Sequence, residues 1–166
     1  MDILDFKKID ISKIFLKNIN KSFTKPLYYG TKIAIITPIM SCAFGIEKEY
    51  SNYLMKMRFN GNIKDHSEFF DFVKELEVFL QKSLGRNKFK SQIRINKKYS
   101  PLLILKLPFK NGKFIVDIED NKLTTINEIV KDMRFKCLLE INNIWHNETN
   151  CSYKWIVKKI IFENCV

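Results

Sequence analysis

Residues 100–114, Ser100-Pro101-Leu102-Leu103-Ile104-Leu105-Lys106-Leu107-Pro108-Phe109-Lys110-Asn111-Gly112-Lys113-Phe114, place a short apolar run between two prolines and follow it with Asn-Gly. A brief apolar run bounded by such punctuation reads as a buried strand. Asn-Gly is the dipeptide that a two-residue hairpin turn favours, because both central positions take positive φ. Working outward with a period of two, strands are expected at about 89–96, 101–107, 113–119, 134–145 and 152–162. A short helix at about 125–131 separates the third of these from the last pair. Three strands, a helix and two strands is the order of an OB-fold barrel.

Upstream, Phe69, Phe72, Val73, Leu76, Phe79 and Leu80 recur at three- and four-residue spacing, the apolar stripe of one long helix. Asp65 with Glu68 three residues on predicts a capping box at its start, and Gly85 supplies its stop. Before it, Lys32 to Thr37 reads as a buried strand ended by Pro38, and Met40 to Ile46 as a short return. Tyr53 to Phe59 alternates as a half-buried strand closed by Asn60-Gly61-Asn62, and a first strand is expected around 9–17. The expected fold is thus a single domain over residues 1–166, mainly β (α+β). It is an OB-type β-barrel with one long inserted helix and one short helix.

Charge narrows the partners. The formal net charge of the 166 residues is +11. Residues 1–83 carry 13 basic and 10 acidic groups, and residues 84–166 carry 16 and 8, so the second half holds most of the excess. From Arg86 to Lys113 there are nine Lys or Arg and no acid. A surplus of this kind attracts nucleic acid, anionic membrane or an acidic protein. Apolar residues run through the same window, so it is a strand-bearing surface and not a solvated tail.

Chemistry finds less support. The five glycines at 30, 45, 61, 85 and 112 form no phosphate-cradling loop. Cys42, Cys137, Cys151 and Cys165 lack the CxxC spacing of a zinc ribbon, and neither a metal nor a cofactor is expected. His66 and His146 have no nucleophile near them in sequence. Asp117 and Glu119 have the spacing of a metal-dependent nuclease's carboxylates, but alternation also makes them a solvated strand face. No run reaches the length of a membrane span, and the opening Met1-Asp2-Ile3-Leu4-Asp5 does not read as a signal peptide. A reducing, non-secreted compartment and a non-catalytic protein are expected.

Cations interleaved with aromatics suit a protein that tracks a nucleic-acid backbone and stacks on unpaired bases. The candidate phosphate contacts are Arg58, Arg86, Lys88, Lys90, Arg94, Lys97, Lys98, Lys106, Lys110, Lys113 and Lys154. Tyr99 and Phe109 are the candidate stacking faces, while Trp145 and Trp155 read equally as core or as stacking groups. Single-stranded DNA is the expected partner, with RNA not separated from it by composition. The rival readings are a virion or scaffold protein that docks an acidic partner, and the nuclease.

The chain resembles the OB-fold single-stranded DNA-binding proteins of nucleocytoplasmic large DNA viruses. The resemblance rests on Ile35-Ile36-Thr37-Pro38-Ile39-Met40 with Phe44-Gly45, Phe69 to Leu80, Tyr99-Ser100-Pro101-Leu102-Leu103 with Lys106-Leu107-Pro108, and Ile144-Trp145 with Tyr153-Lys154-Trp155-Ile156-Val157. These segments span roughly residues 9 to 162. The resemblance implies coating of single strands during viral replication, repair or recombination, in a cytoplasmic viral factory or the nucleus, with viral replication proteins as partners. Many replicative single-strand binders end in an acidic tail, whereas this sequence ends at Glu163-Asn164-Cys165-Val166, which leaves partner recruitment open.

Overall fold

Alternation of side chains along each strand decides which face is buried. In Leu102–Leu107, Leu103, Leu105 and Leu107 are buried at one parity, and Leu102, Ile104 and Lys106 take the other. The computed structural model describes residues 2–16, 24–29, 31–85, 88–119, 125–141 and 143–162. Five strands close a barrel: β1 (Met40–Glu49), β2 (Asn52–Arg58), β3 (Leu102–Leu107), β4 (Arg134–Ile141) and β5 (Trp155–Ile161). β1 pairs antiparallel with β2 and β2 with β3, while β3 runs parallel to β5 through Leu105↔Trp155. β5 pairs antiparallel with β4, and β4 closes the ring on β1 through Arg134↔Ser41. The order 1-2-3-5-4-1 with one parallel pair is that of the OB fold.

The architecture matches the expectation, but several of its details are corrected. The barrel draws β1 and β2 from the first half of the chain. The expected strands 89–96 and 113–119 are instead interrupted and lie off the ring. They appear as Lys88–Lys90 with Ile93–Arg94, and as Lys113–Phe114 with Asp117–Glu119. The short helix is a single 3-10 turn, Ile126–Glu128, and the long helix α1 (Lys64–Leu84) lies between β2 and β3. Of the strand expected at 9–17, the described residues form a 3-10 turn at Ile11–Lys13 and strand only at Phe15–Leu16, with a further 3-10 turn, Phe6–Lys8, just before. Asp5 and Asp10 cap those turns by accepting from Lys7 N–H and Ser12 N–H at 3.0 Å each.

β4 changes partner partway along. Beyond its pairing with β1, residues 138–141 pair with Thr31–Ile36. From there the sheet continues through Thr24–Tyr29, Asn143–His146 and Asn150–Ser152 to Lys88–Lys90. This extension brings the basic segment after α1 back beside the barrel. The Asn111-Gly112 hairpin is present, with φ of 53° and 77° and Lys110 opposite Lys113.

Helix α1 buries Phe69, Phe72, Val73, Leu76 and Leu80, as the stripe requires. Phe69 packs on Phe6 at 5.0 Å between ring centroids and on Phe59 at 5.8 Å. The predicted capping box is absent: Ile63 is the N-cap and makes no side-chain cap. Lys7 takes both carboxylates instead, Asp65 at 2.7 Å and Glu68 at 3.4 Å. Asp65 is thereby held below its usual carboxylate range. Gly85 ends the helix with φ 57°, as expected. His66 is buried, accepting at Nδ1 from Asn60 N–H (2.8 Å) and donating from Nε2 to the Ile39 carbonyl (2.7 Å).

One turn of α1 carries a buried carboxylate, Glu77. Ser91 Oγ donates to its Oε1, while Gln92 N–H (2.8 Å) and Tyr153 OH (2.6 Å) donate to its Oε2. Trp155 Nε1–H in turn donates to Tyr153 OH at 3.1 Å. Burial, reinforced by the neighbouring Glu77, pushes the Tyr153 phenol well above its ordinary range, so it stays a donor. Removing that hydroxyl leaves a buried carboxylate short of a partner. Tyr153→Phe is expected to destabilise the fold by about 1.5–3 kcal/mol. In a thermal melt this lowers Tm by roughly 3–12 °C. An unchanged Tm would show that the network does not hold the fold.

Candidate nucleic-acid interface

The outer face of β1, β2 and β3 forms the floor of an open groove of about 990 Å³. Arg94, Ile95, Asn96, Tyr99 and Ser100 line it from the segment before β3, and Lys131 lines it as well. On the barrel side it is lined by Phe44, Glu47, Lys56 and Arg58.

Phe44 is placed there by backbone geometry. The β1–β2 register shifts between Cys42 and Ile46, and the bulge contains Gly45 at φ +80°. The positive φ favours glycine here, and a Cβ at Gly45 would in addition lie a tight 3.3 Å from the Ile129 carbonyl. Cys42 Sγ accepts Gly45 N–H at 3.2 Å and steadies the bulge. Phe44 consequently faces outward, 59% exposed. Lys56 Nζ lies over its ring at 5.7 Å and 3.3 Å from Glu47 Oε1.

Arg58 was expected on phosphate, but most of its donors are used internally. Nη1 donates to Asp132 Oδ1 (2.7 Å) and the Cys42 carbonyl (3.2 Å), and Nη2 to the Ala43 carbonyl (3.1 Å). Arg58 therefore clamps the bulge while lining the groove. Across from it, Tyr99 is 73% exposed, and Arg94 and Ile95 are exposed beside it. Lys97 and Lys98 extend from the same loop, which Asn96 Oδ1 shapes by accepting Lys98 N–H at 2.9 Å.

The remaining candidates fall in other places. Phe109 is 42% exposed as expected, with its ring against Tyr53 (4.7 Å) and Phe114 (5.0 Å) and away from the groove; Lys110 and Lys113 are exposed on that hairpin. Trp145 stands with Lys88 and Lys90 around a second concavity of about 550 Å³. Lys90 and Lys106 each lie close enough to act on Lys154. Trp155 is fully buried, which settles it as core. Arg86 lies outside the described residues. Asp117 and Glu119 are exposed on a short strand parallel to β5, with Glu119 3.5 Å from Lys159. Among the described residues no three His, Cys, Asp or Glu side chains gather to hold a metal ion.

Sequence reading missed Phe44, Ile95, Lys56 and Lys131. For Phe44 a signal existed, since an isolated glycine within a strand pattern marks a bulge that re-aims its neighbours.

The class these features define is an OB-type barrel with a basic, aromatic-lined groove across its first three strands. Its fold is similar to that in the crystal structure of gp2.5, a single-stranded DNA-binding protein encoded by bacteriophage T7. The TM-score is 0.55 at 8% sequence identity, covering 80% of this chain and 86% of that one. No protein-family model matches the chain, and no curated protein matches it.

Exposure sorts the aromatics by what their removal does. Phe44→Ala and Tyr99→Ala are expected to change stability by no more than about 0.5 kcal/mol. Trp155→Ala is expected to cost about 3–5 kcal/mol. Thermal melts of the three variants check this, and a large loss of Tm in Tyr99→Ala would make that ring a packing residue.

Proposed function

We propose that this protein binds single-stranded DNA without catalysis and with little sequence preference. The observation that carries the reading is the placement of two exposed rings, Phe44 and Tyr99, in one groove with Arg94, Lys56 and Lys131. Exposed aromatic faces stack on unpaired bases whatever their identity, and the cations neutralise the backbone. A duplex hides its base faces, so the groove discriminates against it. The similar fold of the phage single-stranded DNA-binding protein supports the same reading. Within it, the chain belongs with the single-strand-coating proteins of large DNA viruses, acting in replication, repair or recombination in a viral factory or the nucleus.

Anisotropy titrations of labelled single- and double-stranded oligonucleotides, with and without Mg²⁺, test the proposal. Tight binding to single strands alone is expected, and equal binding to both, or to neither, would contradict it. If four to six cations contact phosphate, log K against log[salt] should slope at roughly −3 to −4. Tyr99→Ala should lose about 1–3 kcal/mol of affinity with that slope unchanged.

A paired substitution, Asp117→Asn with Glu119→Gln, addresses the nuclease reading. Binding should persist or tighten slightly, since repulsive charge is removed. A Mg²⁺-dependent cleavage activity lost in that variant would overturn the non-catalytic assignment.

A further inference from the structure

We propose that the chain carries a second strand-binding site, in which Trp145 stacks on a base and Lys90, Lys106 and Lys154 hold the adjoining phosphates. It serves the same DNA strand that fills the groove, and so rests on the reading of that groove. Trp145 pairs with Ser152, and Ser152 pairs with Lys90, so the three residues form one row across three neighbouring strands. Cross-strand partners project to the same face, which puts the indole and the ammonium on one side. Trp145 remains 45% exposed above the concavity of about 550 Å³ that this row borders. Lys88 shares the parity of Lys90 on its strand, while Phe89 between them stacks on the buried Tyr153 at 5.9 Å.

The charges around this site are unbalanced. Lys154 follows Ser152 by two residues, and Lys106 lies opposite Ile156 at the start of β5. Among the described residues no ion pair neutralises Lys90, Lys106 or Lys154. Burial first, and then Lys90 and Lys106, hold the Lys154 amine below its ordinary range, with Glu49 opposing them. Gathering like charges works against folding, and a phosphate placed among them removes the repulsion.

The two sites are joined by one stretch of chain. Lys88 and Lys90 border the second, and four residues later Arg94 enters the groove wall. On β3, Leu102 lines the groove and Lys106, four residues on at the same parity, belongs to the lysine cluster. On β3 that separation corresponds to roughly 13 Å of extended chain. That spans about four stacked nucleotides of a single strand.

Oligothymidylates of about 4 and about 12 nucleotides distinguish one site from two, since OB folds cover roughly 4–16 nucleotides. Trp145→Ala should weaken the longer strand about 5- to 150-fold and leave the shorter one, which the groove alone accommodates, unchanged. Lys90→Gln with Lys154→Gln should flatten the salt slope of the longer strand by roughly 1–2 units, without lowering Tm. Equal weakening of both lengths, or of neither, would overturn the second site while leaving the groove intact. Wild-type protein that binds neither length would overturn the groove reading, and this inference with it.

Discussion

The structure depends on the buried carboxylate of Glu77. An ionised carboxylate away from water is strongly disfavoured unless donors replace its hydration. Here the acceptor and its donors come from three separate parts of the chain. Glu77 belongs to α1, Ser91 and Gln92 to the segment after it, and Tyr153 to the approach to β5. Satisfying one side chain therefore fixes a helix, a basic segment and a barrel strand relative to one another. The fixed segment is the one that matters for binding. On one side of residues 91 and 92 it carries Lys88 and Lys90, and on the other Arg94 and the Tyr99 loop.

A second constraint acts on the barrel wall. Closing five strands leaves no room for an aromatic of the wrong parity on the inner face. The bulge at Gly45 turns Phe44 outward, and Arg58 bonds the successive carbonyls of Cys42 and Ala43 that lead into it. Asp132, itself at φ 70°, completes the arrangement by accepting from Arg58. The cations nearest the barrel, Lys56 and Arg58, are thus partly engaged by Glu47 and Asp132. Those farther out, Arg94 and Lys131, have no ion pair among the described residues and are the freer to meet phosphate.

Local signals in the sequence were reliable where local forces decide the structure. The stripe from Phe69 to Leu80, Gly85 as a left-handed cap and Asn111-Gly112 as a turn all appear as read. The capping box failed because Lys7, remote in sequence, takes both Asp65 and Glu68. The 9–17 region contains Ile9, Ile11 and Ile14, which look like a strand. Asp5-Phe6-Lys7-Lys8-Ile9 and Asp10-Ile11-Ser12-Lys13-Ile14 are better read as a repeat, each copy giving an Asp-capped 3-10 turn. Barrel membership was not local at all. The OB class emerged from the strand order of residues 89–162, yet ring closure selects β1 and β2 and leaves 89–96 outside. Of the candidate site, the acid-free window was legible as charge. That Tyr99 faces a groove with Phe44, while Phe109 packs on Tyr53, follows only from tertiary placement.

The claim that a single strand lies in the groove, stacked on Phe44 and Tyr99, is tested most directly by photocrosslinking. A single-stranded oligonucleotide containing 5-iodouracil, irradiated on the full-length protein and mapped by peptide mass, reports which rings touch bases. The account predicts adducts at Tyr99 and Phe44, suppressed by unlabelled single strand and not by duplex. Adducts confined to Tyr50, in the β1–β2 turn, or to Phe109, beside Tyr53, would contradict it.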